Sequence, residues 1–225
     1  LPLFMSSHQA PNWLIGLVVG SIPAALNFII NPIVSTKSDR TRTRWGRRIP
    51  YLLFASPFVT LFLILLGWSD SIGALIHRLA FGGNVSVASV VIGCIVVFAI
   101  GFQGFNMFVF SIFYYIFADV VPKQFMGRFM AMFRMVGTVA GFTFNRYIIK
   151  HADEHMAWIF TGIALIYLVA FLLMCLMVRE GGYPPPEPPK KNPVAAYFRE
   201  CFSLKFYRWF FLGIACNEAS TVCRT

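Results

Sequence analysis

Long apolar segments separated by short polar stretches are the main pattern along the chain. A helix that crosses a lipid bilayer needs about 20 mostly apolar residues. Five segments approach or exceed this length, near residues 13–34, 50–68, 89–118, 125–149 and 158–178. Each of them predicts a membrane-spanning helix, and a sixth apolar segment begins near residue 206. The predicted fold class is therefore an all-α membrane protein.

The two ends of the chain resemble parts of longer segments. Residues 1–12 read as the end of an earlier apolar segment, and we expect the segment that begins near residue 206 to be still unfinished at residue 225. We expect a fragment that holds an N-terminal six-helix bundle over residues 1–178, lacking most of its first helix, and the start of a seventh helix. Between them lies the linker 179–205, whose stretch "YPPPEPPKKNP" excludes a helix and favours extended polyproline.

Composition and charge agree with a membrane location. The chain is 58% hydrophobic and 12% charged, whereas a soluble domain has about 25% charged residues. Its net charge of +10 would suggest a nucleic-acid partner in a soluble protein. However, 14 of the 19 Lys and Arg residues lie in or beside the loops 35–49, 119–128 and 179–205. The loops on the other side hold three.

This asymmetry predicts the orientation, because loops rich in Lys and Arg stay in the cytoplasm. We therefore expect loops 35–49, 119–128 and 179–205 on the cytoplasmic side of a bacterial inner membrane or a plasma membrane. Anionic lipids on that side are the expected partners of the basic loops. With the charge explained in this way, no nucleic-acid partner is needed.

The residues that could carry catalysis or bind a metal ion lack the necessary spacing. The sequence has no CxxC pair, no acidic cluster and no phosphate-binding loop. His151 and His155 are four residues apart and could share a helix face, but a solvated polar turn is the simpler interpretation. The five cysteines lie in predicted spans or on the cytoplasmic side, where thiols stay reduced. We expect neither an enzyme nor a bound metal or cofactor.

The most specific motif lies between segments 13–34 and 50–68. It reads "SDRTRTRWGRR" over residues 38–48, and it resembles the loop 2–3 signature of the major facilitator superfamily. With "NP" at residues 31–32 upstream, it is most similar to the glycoside–pentoside–hexuronide:cation symporters and to the sucrose-transporter-like branch. The resemblance is specific over about residues 27–53, where Ser35 replaces the usual glycine. It implies a fold of two six-helix bundles and a transport function.

The resemblance also implies that the loop 35–49 acts as a cytoplasmic gate. In that family, the acid equivalent to Asp39 bonds to a helix N-terminus of the other bundle when the gate is closed, where the helix dipole stabilises a carboxylate. Arg40, Arg47 and Arg48 would bind this acid or contact anionic lipids. The alternative is that these arginines only set the membrane topology.

A second, shorter motif, "ADVVPKQFMGRF", contains Asp119 and Arg128. The family carries an acidic–basic link at this place too, packed against the first loop. The resemblance therefore suggests a pair such as Asp119 with Arg44 or Asp39 with Arg128. An exposed pair would add little stability, so its importance would be as a switch.

Polar side chains within the apolar segments are the candidate solute or ion pathway, because they are costly in a bilayer. Asn27 and Asn31 are four residues apart and share one helix face, and Gln103 and Asn106 are three apart. Arg134 lies about two turns into the segment 125–149. The alternative for the amides is hydrogen bonding between helices. A buried guanidinium instead needs carbonyls, an acid or an anionic solute.

The resemblance stops at ion coupling. Melibiose-carrier symporters place cation-binding acids in a D-x-x-x-D-P pattern, where this chain has Asn27 and Asn31, and their span-four acid aligns with Asn106. Amide oxygens can bind Na⁺, but an amide cannot carry a proton at neutral pH. Coupling to Na⁺ or H⁺ would need another acid, such as Glu218, or the protein is a uniporter.

The resemblance implies a sugar as the substrate. Amides can bond to sugar hydroxyls, and aromatic rings can stack on sugar rings. We expect a monomeric secondary active transporter of sugars or glycosides that works by alternating access. The alternative is a facilitator-fold transporter of another solute, such as an organic anion, a drug or a peptide, and Arg134 is the feature that favours it.

Overall fold

A computed structural model describes residues 2–81, 86–178, 180, 202–203 and 205–222. Its regular elements in these ranges are helices. Two compact units, Leu1–Pro184 and Pro185–Thr225, make up the chain. We number the main helices α1 Pro2–Ser7, α2 Asn12–Arg40, α3 Ile49–Gly67, α4 Ser69–Ile76, α5 Val87–Val120, α6 Met126–Thr143, α7 Ala152–Met177 and α8 Lys205–Val222.

Short irregular turns extend or interrupt these helices. Helix α2 contains a π-helical turn over Leu17–Ser21. A π-helical turn over His77–Phe81 follows α4, and another over Phe144–Ile148 follows α6. The backbone of α7 leaves helical geometry at His155. Most of the predicted linker 179–205 lies outside the described residues.

Four helices within the described residues are long and apolar enough to cross a membrane. They are Asn12–Arg40, Ile49–Gly67, Val87–Val120 and His155–Met177. They lie over four of the five segments predicted from the apolar pattern. The fifth, 125–149, forms helix α6, which is not in this group because Arg128 and Arg134 lower its hydropathy. The protein is therefore an all-α, multi-pass integral membrane protein.

Helix α3 lies at the centre of the first unit and packs against both α5 and α7. Nine of its nineteen residues are buried, and they recur every three or four positions, so they form one face of the helix. Around its first half, α3 shares a core with α2, α5 and α7. The buried members of this core are Val34, Ile49, Leu52, Ala55, Val59, Val109, Ile112, Ile116 and Cys175.

A second core surrounds the last turns of α3, at the opposite end of the helix. Its buried residues come from α1, α2, α3, α5 and the segment that joins α1 to α2, and they are Phe4, Met5, Ala10, Val18, Leu66, Val91, Ile95 and Ala99. Gly67 lets α3 approach α7 closely there, since a Cβ on Gly67 would lie 2.6 Å from the Cβ of Phe160. Small residues permit such close helix packing in membranes.

Helix α6 is the most exposed helix of the first unit. Aromatic contacts attach it to α5: the rings of Phe117 and Phe129 lie 4.8 Å apart, and those of Phe113 and Phe133 lie 5.8 Å apart. Arg128 and Arg134 project from exposed positions of α6.

Candidate functional site

The chain reverses direction between α2 and α3 in a tight turn, residues 41–48, which we call the 41–48 turn. Backbone hydrogen bonds close it, from Thr43 N–H to Gly46 O at 3.2 Å and from Gly46 N–H to Thr43 O at 3.1 Å. Gly46 has φ +113°, a conformation that side chains strongly disfavour. The turn therefore places Arg47 and Arg48 directly before the first residue of α3.

Arg47 and Arg48 both bind the same two acids. Arg47 Nη2 lies 2.8 Å from Asp119 Oδ2, and Arg47 Nη1 lies 3.3 Å from Asp39 Oδ1. Arg48 Nη2 lies 3.0 Å from Asp39 Oδ1, and Arg48 Nη1 lies 3.0 Å from Asp119 Oδ2. Asp39 belongs to the last turn of α2 and Asp119 to the last turn of α5. These four residues, the charge cluster, therefore join the ends of three helices.

The members of the charge cluster differ in their exposure to solvent. The side chains of Arg47 and Arg48 are 15% and 8% exposed, and that of Asp119 is 19% exposed. The Asp39 side chain is 50% exposed. Because a nearly buried guanidinium needs its acids, loss of either acid would be costly. Asp39 therefore lies at the solvent-accessible edge of the charge cluster.

A third acid, Glu180, binds the same corner through the backbone. The N–H of Arg47 donates to Glu180 Oε2 at 2.8 Å, and the N–H groups of Arg48 and Ile49 both donate to Oε1 at 2.9 Å. Helix α3 has no capping side chain of its own at this end. A carboxylate at a helix N-terminus satisfies free donors and interacts favourably with the helix dipole. Glu180 therefore caps α3 from more than 130 residues away along the chain.

One aromatic side chain lies against Arg48. The guanidinium carbon of Arg48 lies 5.0 Å from the ring centre of Tyr115, within the range of a cation–π interaction. Ser35, at the position where the superfamily signature usually has glycine, is half-buried on α2.

The remaining predicted gate residues lie outside the charge cluster. Arg40, Arg44 and Arg128 are exposed and form no ion pair within the described part of the chain. The suggested pairs, Asp119 with Arg44 and Asp39 with Arg128, are therefore replaced by pairs with Arg47 and Arg48. The reason is geometric, since Arg44 lies at the tip of the turn and Arg128 lies on the exposed helix α6.

The predicted pathway amides of α2 form a short hydrogen-bonded chain. Asn31 Nδ2 donates to Asn27 Oδ1, and the hydroxyl of Ser111 on α5 donates to Asn31 Oδ1, each at 2.5 Å. Ser111 also lies 2.9 Å from the carbonyl oxygen of Met107. The bond between Asn31 and Ser111 joins two helices. It is the alternative role, hydrogen bonding between helices, that the sequence analysis gave for these amides.

The other predicted pathway residues lie apart from this chain of bonds. Asn106 lines a cavity of 420 Å³ between α5, α6 and α7, together with Phe133 and Tyr167. Asn106 and Ser111 are five positions apart, which corresponds to about 140° around the helix. Gln103 is half-buried on α5, and Arg134 is exposed on α6. The structure therefore does not bring Asn106 together with Asn27 and Asn31.

No group of three or more His, Cys, Asp and Glu residues could hold a metal ion within the described residues. The alternative coupling acid, Glu218, has its side chain outside them. The described site thus consists of two parts, the charge cluster at the basic end and the Asn–Ser chain within the membrane.

Comparison with known proteins assigns the family. The family described as MFS/sugar transport protein matches residues 4–225. The chain belongs to this family. A major facilitator fold with two bundles accommodates the first unit described above and the helix α8 beyond the linker.

Individual proteins that resemble this MFS/sugar transport chain match it over shorter segments than the family does. Sucrose transport protein SUT1 of Oryza sativa subsp. japonica is 34% identical over 61 residues, which are 27% of this chain and 10% of SUT1. Sucrose transport protein SUC3 of Arabidopsis thaliana is 32% identical over 95 residues, which are 40% of this chain and 14% of SUC3. The matched segments therefore span only a small part of these relatives. No solved structure matches the chain significantly.

Two residues of the site, Glu180 and Ser111, could not be identified from the sequence. Glu180 had one visible signal, an acid placed at the start of a basic linker, but its partners are far away in sequence and could not be identified. Ser111 is a single small hydroxyl in a strongly apolar segment, and the sequence offered no way to tell it from a packing residue. Both become visible only when helix ends and helix faces are placed in space.

Proposed function

We propose that the protein is a secondary transporter that moves sugars or glycosides across the membrane by alternating access. Its membership of a sugar transport family supports the class of solute. The observation that carries the proposal is the pair of adjacent arginines shared by Asp39 and Asp119, which lie at the ends of two different helices. Such shared ionic bonds can exchange partners when helix ends separate.

In this proposal the charge cluster is the basic-side gate. Arg47 and Arg48 hold the ends of α2 and α5 against the start of α3 in the described conformation. Asp39 is half-exposed, so it is the member that can also accept a bond from a helix N-terminus of the second bundle. Formation of that bond would favour one access state, and its loss would favour the other.

The solute pathway would use the Asn–Ser chain. Asn27 is exposed and Asn31 is half-buried, so the amides can exchange a bond between themselves for a bond to a sugar hydroxyl. None of Asn27, Asn31 and Ser111 carries a proton that it could release near neutral pH. Coupling through these residues would therefore be to Na⁺ or absent, and proton coupling would require an acid elsewhere.

One observation favours a second candidate, the transport of an organic anion. Arg134 is exposed on α6 and forms no ion pair within the described residues. A guanidinium on a membrane helix is costly unless it meets an anion or water. An anionic solute would provide that partner.

Uptake by the purified full-length protein in liposomes tests both candidates. Radiolabelled sucrose and a panel of glycosides are offered without a gradient, with a Na⁺ gradient and with a pH gradient. Saturable sugar uptake is expected. Absence of uptake across the whole panel would overturn the sugar assignment, and inhibition of uptake by organic anions would favour the second candidate. Saturable uptake that no gradient accelerates would identify a uniporter.

A further inference from the structure

Glu180 completes the hydrogen bonding of the first turn of α3. Pro50 has no N–H, and the N–H groups of Tyr51 and Leu52 donate to Arg48 O at 3.1 and 3.4 Å. The three remaining backbone donors at this helix end are the N–H groups of Arg47, Arg48 and Ile49. All three donate to Glu180. A buried helix end needs such partners, and here one carboxylate supplies them.

The bonds of Glu180 are independent of the arginine side chains. Glu180 accepts from the backbone, whereas Asp39 and Asp119 bind the guanidinium groups. The side-chain bonds of the charge cluster can therefore break while the backbone bonds persist. The start of α3 thus brings together two cationic side chains and three carboxylates, those of the charge cluster and Glu180. Opening the cluster thus releases acids that repel one another, but it does not release Glu180 from the helix end.

Gly46 shows that the turn is shaped around Glu180. A Cβ on Gly46 would lie 2.6 Å from Glu180 Cδ and 2.9 Å from its Oε1. Cβ atoms do not approach other atoms so closely. The residue at position 46 must therefore be glycine for two reasons, its positive φ and the space that the carboxyl group of Glu180 occupies.

We propose that Glu180 is a positioning residue that fixes the 41–48 turn to the chain just after α7, so that the turn and the end of α7 move as one body. The Arg–Asp bonds would then be the part that opens and closes, and the bonds of Glu180 would be the fixed attachment. This attachment carries movement of the end of α7 to the start of α3. The inference rests on the proposed transport function for its role, but not for the attachment itself.

Amide hydrogen exchange of the full-length protein in lipid nanodiscs tests the attachment without any solute. In Glu180→Gln, exchange in a peptide that covers residues 44–52 should rise about tenfold, because a charged acceptor is lost. Peptides of α5 report whether the fold is intact. Glu187→Gln, which neutralises another acid of the same linker, is the matched control and should match the wild type. Unchanged exchange over 44–52 in Glu180→Gln would overturn the inference.

A double-mutant cycle between Gly46 and Glu180 is a second, independent test of the attachment. Gly46→Ala should raise exchange over residues 44–52 strongly in the wild type. In the Glu180→Ala background it should add less, because the clashing carboxyl group is gone and only the strain of the positive φ remains. Equal effects of Gly46→Ala in both backgrounds would show that the two residues do not meet, and would overturn the inference.

Transport kinetics then test the positioning role. Glu180→Gln should lower the turnover number several-fold with little change in KM, because the residue does not touch solute. An increase in KM alone would contradict positioning of a moving part. Absence of sugar uptake by the wild type would overturn the proposed function, while the exchange result would still decide the attachment.

Discussion

The two ends of helix α3 are held in different ways. At its start, five charged residues converge: Arg47 and Arg48 bind Asp39 and Asp119, and Glu180 binds the backbone. The Arg–Asp bonds are directional and could be exchanged for bonds to water or to another group. These side-chain contacts can therefore break without loss of the surrounding apolar core.

At the end of α3, apolar packing rather than charged contacts holds the helix in place. Leu66 is 1% exposed and lies in the second core with Phe4 and Met5. A hydrogen bond there joins His8 Nε2 and Asp70 Oδ1 at 2.6 Å, but the side chain of Asp70 is 58% exposed. Close packing offers no alternative partners, since a gap of even 1 Å forfeits much of the contact energy.

The contrast between the two ends indicates which end of the first unit can open. A bundle that opens on one side must keep its helices together on the other. The directional bonds lie at the basic end and the continuous packing at the opposite end, so in the first unit we expect the basic end to open and the opposite end to act as the pivot. The following substitutions test this division in order of expected effect.

Arg48→Ala should have the largest effect. It removes the most buried guanidinium and leaves Asp39 and Asp119 with one partner fewer, at a cost of about 4 kcal/mol in the free energy of unfolding. Chemical denaturation of the protein in detergent measures this. Arg44→Gln, at the exposed tip of the same turn, is the control and should change stability by less than about 0.5 kcal/mol. If both substitutions lowered the free energy of unfolding equally, the charge cluster would not stabilise the fold as predicted.

Leu66→Ala should destabilise the opposite end by about 3 kcal/mol, because it leaves a cavity in a buried core. If that end is the pivot, Leu66→Ala should lower the free energy of unfolding. Amide exchange in the 41–48 turn, at the other end of α3, should stay unchanged. A rise in exchange of the 41–48 turn in Leu66→Ala would break the division between the two ends.

Gly46→Ala should cost about 2 kcal/mol, because alanine is strained at φ +113°. Thermal unfolding of the two alanine variants Gly46→Ala and Gly16→Ala compares them directly. Gly16 lies in α2 with no atom near its missing Cβ, so alanine there should be neutral or slightly stabilising. Similar melting temperatures for both variants would contradict the tight turn.

Asp70→Asn should have the smallest effect, about 0.5 kcal/mol or less, because exposed polar contacts and exposed ion pairs contribute little. Asp119→Asn, at the basic end, provides the comparison and should cost several times more in the same denaturation experiment. If Asp70→Asn were the more damaging of the two, the contact between Asp70 and His8 would be part of the pivot and the contrast between the ends would fail.

Most of the helices could be predicted from the sequence, because an apolar segment of about 20 residues is long enough to cross a bilayer as a helix. Four of the five predicted segments coincide with helices long and apolar enough to span. The shared face of Asn27 and Asn31 was predictable too, since helical periodicity alone sets it. The partner of Asn31 was not, because Ser111 comes from a different helix.

The apolar segments, the basic side and the motif around Asp39, with Arg40, Arg47 and Arg48 as its suggested partners, could be read from the sequence, because they depend on local composition and spacing. The three-dimensional arrangement was needed to show that Arg47 and Arg48 also bind Asp119, and that Arg40, Arg44 and Arg128 form no ion pair within the described residues. Only the tertiary structure revealed that Glu180 caps α3. The physical reason is that an ionic bond or a cap depends on which helix ends meet, and that meeting is set by packing between residues far apart along the chain.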